Sequence, residues 1–100
     1  MARYDVYRDP RGSENLLVCI QADLFDQFET RMVIPLLPEQ PHNVPLRKLN
    51  PVFMIEGRRY VLHTQLMLSV PASALRVRIA NVEAHRDEIT AALDFLFQGF

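Results

Sequence analysis

Apolar and polar residues alternate from Ala2 to Tyr7, with Ala2, Tyr4 and Val6 set against Arg3, Asp5 and Tyr7, which is the period-two signature of a half-buried strand. The stretch Asp9 to Asn15 (DPRGSEN) joins Pro10 and Gly12 to polar neighbours and reads as a turn into a second strand, Leu16 to Gln21. The two form a predicted hairpin. Leu24, Phe25 and Phe28 follow in a polar setting too short for a helix, and Arg31 to Leu37 is apolar and β-branched enough for a third strand. Pro35 cannot donate to a ladder, so that strand is expected to bend, bulge or lie at an edge near it. Pro38, Pro41, Pro45 and Pro51 then favour an extended connection.

Val52 to Ile55 and Arg59 to Thr64 flank Glu56-Gly57-Arg58, where Gly57 supplies the positive φ of a tight hairpin turn. Gln65 to Pro71 is strand-like in its second half, and Leu75, Val77 and Ile79 fit either one further short strand or a helical turn. Asn81 is a candidate N-cap. From Val82 the chain has no Pro or Gly until Gly99, and Val82, Ile89, Leu93, Leu96 and Phe97 recur at helical spacing beside Ala92, with Glu83, Asp87 and Glu88 in the early turns. Phe95 falls outside the stripe that contains Ile89, Leu93 and Leu96, and Asp94 further round, so the helix has one face for its own sheet and apolar residues, Phe95, Phe97 and Phe100, beyond it. Many strands followed by one helix predict an α+β domain with a mainly antiparallel sheet, one domain spanning residues 1–100.

The helix leaves a question at its end. DFLFQGF, Asp94 to Phe100, carries Phe95, Leu96, Phe97 and Phe100, and apolar side chains gain nothing from water, so the terminus is expected to be covered. A second molecule covers it, or the sheet curls over it within one chain.

Composition narrows the function classes. The 100 residues are 49% hydrophobic and 23% charged, the balance of a folded globular chain. Net charge is −1, and Arg47-Lys48 and Arg58-Arg59 are the only adjacent basic pairs, so no stripe suits a phosphate backbone and direct nucleic-acid binding is disfavoured. The runs LLVCI and MVIPLL are too short to span a membrane and no basic-then-apolar signal opens the chain, which points to the cytosol. Cys19, the single cysteine, excludes an internal disulfide and reads as a small buried hydrophobe.

Catalytic chemistry finds little support. His42, His63 and His85 share no metal-ligand spacing, and no glycine-rich phosphate loop is present, so neither a metal nor a nucleotide cofactor is expected. Asp23 with Asp26 and Asp87 with Glu88 are ordinary surface and capping pairs, and Ser13, Ser69 and Ser73 lack any local partner. Binding is favoured over catalysis.

RMVIPL (Arg31–Leu36), LNPV (Leu49–Val52), SVP (Ser69–Pro71), His85-Arg86 and the closing LFQGF resemble the CcdB toxin family nearly end to end, with Val6-Tyr7 and Gln21 to Asp23 in register. The resemblance implies a homodimer whose antiparallel sheet and long C-terminal helix are similar to the SH3-like barrel of MazF-like proteins. It implies a toxin of a type II toxin-antitoxin module that inserts between the two DNA gyrase A subunits and traps the enzyme on cleaved DNA, itself making and breaking no bond. A CcdA-like antitoxin would neutralise it by folding a disordered segment over an apolar groove of the dimer.

In that family the gyrase-facing surface lies around the two-fold axis. Carried over position by position, it comprises Leu24, Phe25, Asp94, Phe97, Gln98, Gly99 and Phe100. Two of these depart from the family pattern. Gln98 stands where gyrase-poisoning members carry a tryptophan that stacks on an arginine of the target, and Asp94 stands for an asparagine. Two alternatives follow: a related toxin domain whose changed tip has lost or exchanged the gyrase target, and a MazF-like ribonuclease using His63, Arg59 or Glu56.

Overall fold

The computed structural model describes residues 2–41 and 46–100. His42 and Pro45, and with them the middle of the proline-rich connection, lie outside the described residues. The strands are β1 (Asp5–Arg8), β2 (Leu16–Cys19), β3 (Thr30–Pro38), β4 (Val52–Ile55), β5 (Arg58–Leu62), β6 (Leu68–Pro71) and β7 (Arg78–Asn81), and the helix is α1 (Arg86–Gln98). They make one curled antiparallel sheet in the order β4-β5-β3-β2-β1-β7, with β6 pairing the first half of β3. The architecture is α+β, a half-barrel of strands with a C-terminal helix, as the sequence pattern and the family resemblance predict.

Both faces of the sheet are buried. Val6, Val18, Ile34, Leu36, Phe53 and Leu62 point one way and pack with Ile89 and Ala92 of α1. Tyr7, Leu17 and Val33 point the other way and are covered by Leu75, which follows a 3₁₀ turn at Ala72–Ala74. The sequence alternatives for this last segment are therefore both realised, a helical turn and then β7.

Double coverage corrects the reading of the first strand as half-buried, because Asp5 and Tyr7 are as enclosed as Tyr4 and Val6. The strand also starts later than expected. Tyr4 adopts φ 72°, which breaks the extended run before Asp5 at a cost of roughly 1 kcal/mol for a side-chain-bearing residue, while its buried ring and its backbone bonds to Cys19 and Val82 hold it there.

Pro35 is not at an edge. It lies inside β3 opposite Leu17, and its carbonyl accepts the His63 N–H at 2.9 Å. In an antiparallel strand the N–H and C=O of one residue point to the same side. The missing donor thus faces His63, where β3 changes partner from β6 to β5, and the His63 carbonyl instead accepts the Leu66 N–H at 2.9 Å.

The β4–β5 hairpin turns through Glu56 (φ 51°) and Gly57 (φ 77°), two consecutive left-handed residues of the kind whose twist matches the flanking strands. Asn81 accepts the Glu83 N–H through Oδ1 at 2.9 Å, so it does open the helical segment. A 3₁₀ turn, Glu83–His85, comes first, and α1 proper begins at Arg86.

Asp5 ties β1 to the neighbouring edge strand β7. Its carboxylate accepts from Arg78 Nε (2.8 Å), Asn81 Nδ2 (2.9 Å) and the Ala2 N–H (2.8 Å). Burial by itself raises the pKa of this carboxyl, but the bonds from Asn81, Arg78 and Ala2 together outweigh it and hold the group below the usual aspartate range. A carboxyl depressed in the folded state contributes stability above its unfolded pKa and loses that contribution as pH falls through the folded value. Asp5→Asn is expected to cost about 2 kcal/mol at pH 7. The gap between variant and wild type in urea denaturation should shrink below pH about 4. A gap that stays constant down to pH 2 would rule out the carboxylate as its source.

Candidate functional site

Two exposed apolar features stand out on the surface. The first is the end of α1. Ile89, Ala92, Leu93 and Leu96 follow the i, i+3, i+4, i+7 spacing and form the sheet-facing stripe. Phe97 sits about 80° round from Ile89 and in the last turn, beyond the margin of that stripe. It is 69% exposed, and Phe100 is 75% exposed. Both side chains thus lie beyond the face that the helix gives to its own sheet.

Phe95, expected to be left over, is instead half-buried, with the Lys48 ammonium 5.4 Å from its ring centroid. Asp94 and Gln98 are exposed. Gly99 ends the helix at φ 79°, and its N–H closes on the Phe95 carbonyl at 2.9 Å. That left-handed cap turns the chain sharply, with Phe97 in the last helical turn before it and Phe100 just after it.

The second feature is the loop between β2 and β3. A single 3₁₀ turn, Asp23–Phe25, raises Leu24, which is 79% exposed, and the Phe25 ring sits 5.5 Å from that of Phe28. The sequence reading noted Phe28 but gave it no role.

What holds this loop is a buried guanidinium. Arg31 opens β3 among apolar residues, is only 6% exposed, and donates to the backbone carbonyls of Asp26, Phe28 and Thr30 as well as to the Asp26 carboxylate at 3.3 Å. Gln21 braces the other side, with Nε2 donating to the Phe25 carbonyl (3.1 Å) and Oε1 accepting the Met32 N–H (3.1 Å). A single arginine gathering three carbonyls supplies what secondary structure would otherwise supply. The charged residue leading RMVIPL was its only trace in the sequence.

Loop and helix tip are separate features of one chain. Among the described residues no hydrogen bond, ion pair or ring contact joins residues 22–30 to residues 94–100. Of the seven candidate positions, Asp94, Phe97, Gln98, Gly99 and Phe100 come together at the tip, and Leu24 and Phe25 come together on the loop.

The residues considered for catalysis are dispersed. Glu56 is in the β4–β5 turn, Arg59 is engaged by Glu39 at 2.8 Å, and His63 follows β5 and lines a different cavity. Cys19 is buried between β1 and β3, and burial pushes its thiol pKa up, away from the reactive thiolate. Among the described residues no three His, Cys, Asp or Glu side chains gather as metal ligands. Among the described residues no helix is long and apolar enough to cross a membrane. What the two features offer a partner is apolar area on a fixed backbone, which is the physics of a binding surface.

Compared with known families, residues 3–99 match the model described as CcdB protein.

Proposed function

The chain belongs to the CcdB family of toxin-antitoxin toxins, and from that premise we propose that it binds the DNA gyrase A subunit and traps the gyrase-cleaved DNA complex. The observation that carries the reading is the helix tip, where Phe97 and Phe100 stand in water beside a glycine-fixed turn. Fixing the backbone before binding removes an ordering cost of about 1–2 kcal/mol per residue, which favours a surface whose purpose is contact. In a homodimer two such tips would meet a two-fold partner with each contact made twice. A CcdA-like antitoxin would cover apolar surface of the same dimer.

The second reading rests on Gln98 and Asp94. Both are exposed at the tip, and neither can supply an aromatic face to a cation. A desolvated cation–π contact is worth about 0.5–2 kcal/mol, so its absence from both halves of a dimer weakens binding by roughly one to two orders of magnitude. This version keeps antitoxin binding and loses or changes the gyrase target.

Supercoiling and cleavage assays with the purified protein and with Gln98→Trp separate the readings. Trapped cleaved DNA with wild type supports gyrase poisoning. Trapping by Gln98→Trp alone identifies a scaffold disarmed at one position, and trapping by neither removes gyrase as the target.

A further inference from the structure

A cavity of about 420 Å³ lies away from both apolar features, between the β1–β2 turn and the ends of β3 and β5. Its volume falls within the roughly 300–1,000 Å³ that small-ligand sites occupy. Leu37 and Val61 supply apolar wall, His63, Gln65 and Asn50 supply polar groups, and Glu14 stands in the lining.

The hydrogen-bonding sense of the polar groups can be worked out from the backbone. Asn50 is buried; its Oδ1 accepts the Leu46 N–H (3.3 Å), and its Nδ2 donates to the Leu62 carbonyl (3.0 Å). A backbone N–H can only donate and a carbonyl can only accept, so the Asn50 amide has one orientation. Its Nδ2 also donates to Gln65 Oε1 at 2.8 Å. Gln65 therefore spends its oxygen on Asn50 and keeps its NH₂ as a donor for the cavity.

His63 contributes the complementary sense. Burial lowers its pKa, so near neutral pH the ring is uncharged, with one N–H donor and one lone-pair acceptor. No described side chain hydrogen-bonds to that ring.

The lining also excludes other ligands. Among the described residues its lining contains no lysine or arginine, and Arg58, outside the lining, lies 3.5 Å from the Glu14 carboxylate, so an anion meets a carboxylate there. A purely apolar ligand would use neither the Gln65 amide nor the half-buried imidazole, so it gains nothing from the polar side of the cavity.

We propose that this cavity is a binding site for a small uncharged ring with a lactam or imide edge, of the uracil class. The ring faces lie against Leu37 and Val61, a ring carbonyl accepts from Gln65, and the imide N–H donates to His63.

Titrating the full chain with uridine, and following the Gln65 side-chain amide and the Val61 and Leu37 methyls by NMR, tests the assignment. Saturable shifts are expected, at least tenfold weaker in affinity for Gln65→Glu, which keeps an oxygen for Asn50 but removes the donor. His63→Phe serves as a second variant should Gln65→Glu unfold, with the same loss expected. Absence of saturation at tens of millimolar, an unchanged affinity in a folded variant, or equal shifts with inorganic phosphate or with benzene would overturn the proposal. None of these outcomes depends on gyrase.

Discussion

Arg31→Ala is expected to lower stability by about 3 kcal/mol and to loosen residues 22–30 while the rest of the sheet keeps its protection. The substitution leaves the carbonyls of Asp26, Phe28 and Thr30 without their donor, beside a space the side chain filled. Hydrogen bonds to a charged group contribute about 1.5–3 kcal/mol each where one partner remains buried, but these carbonyls sit in a surface loop and recover some of that by hydration.

Arg31→Met separates the two contributions, because it refills the volume and restores no donor. If packing dominates, Met recovers most of the loss; if the donors dominate, Met resembles Ala. Chemical denaturation gives the magnitude, and hydrogen exchange at the amides of Leu24, Phe25 and Phe28 gives the location. Unchanged exchange there in Arg31→Ala would mean that the loop holds itself and that Arg31 is merely buried.

This bracing shows where the sequence was readable and where it was not. Period-two and period-3.6 patterns are local, and they located both hairpins, β6 and α1 to within a few residues. Coverage of a sheet face is not local. Nothing near Asp5 or Tyr7 in the chain announces that Leu75 will close the second face or that Arg78 and Asn81 will neutralise a buried carboxylate.

Pro35 illustrates the same limit. A proline in an apolar run implies an edge or a bend by local rules, and only the arrival of His63 at the point of partner exchange makes it harmless in the middle of a sheet. At the tip, helical periodicity gave the angle of Phe97 and Phe95 but not where the sheet beneath them ends, and so Phe95, left over by the pattern, proves half-buried. The end of the helix was legible because Gly99 is the first glycine after Val82, and it takes the left-handed φ that stops the helix.

The largest functional effect is expected from the exposed Phe97. Phe97→Ser should reduce gyrase A binding and cleavage trapping by a factor of about 10² or more, while leaving the thermal midpoint nearly unchanged. The two halves of this expectation come from one fact. A side chain 69% exposed contributes little to its own fold, and surface substitutions of that kind usually stay within about 0.5 kcal/mol.

The same exposed ring can bury most of its area against a partner, and aromatic anchors at interface centres commonly contribute about 2 kcal/mol or more. In a symmetric dimer the loss is counted at both tips, which converts to about three orders of magnitude if the two contacts add. Phe95→Ala is the contrasting variant, since Phe95 is half-buried beneath Lys48 and its loss should register in stability before binding. A Phe97→Ser protein that melts early would show that Phe97 serves the fold. One that melts normally and still traps cleaved DNA would move the contact away from the tip, leaving the Leu24-Phe25-Phe28 loop, held by Arg31, as the remaining exposed aromatic surface to test.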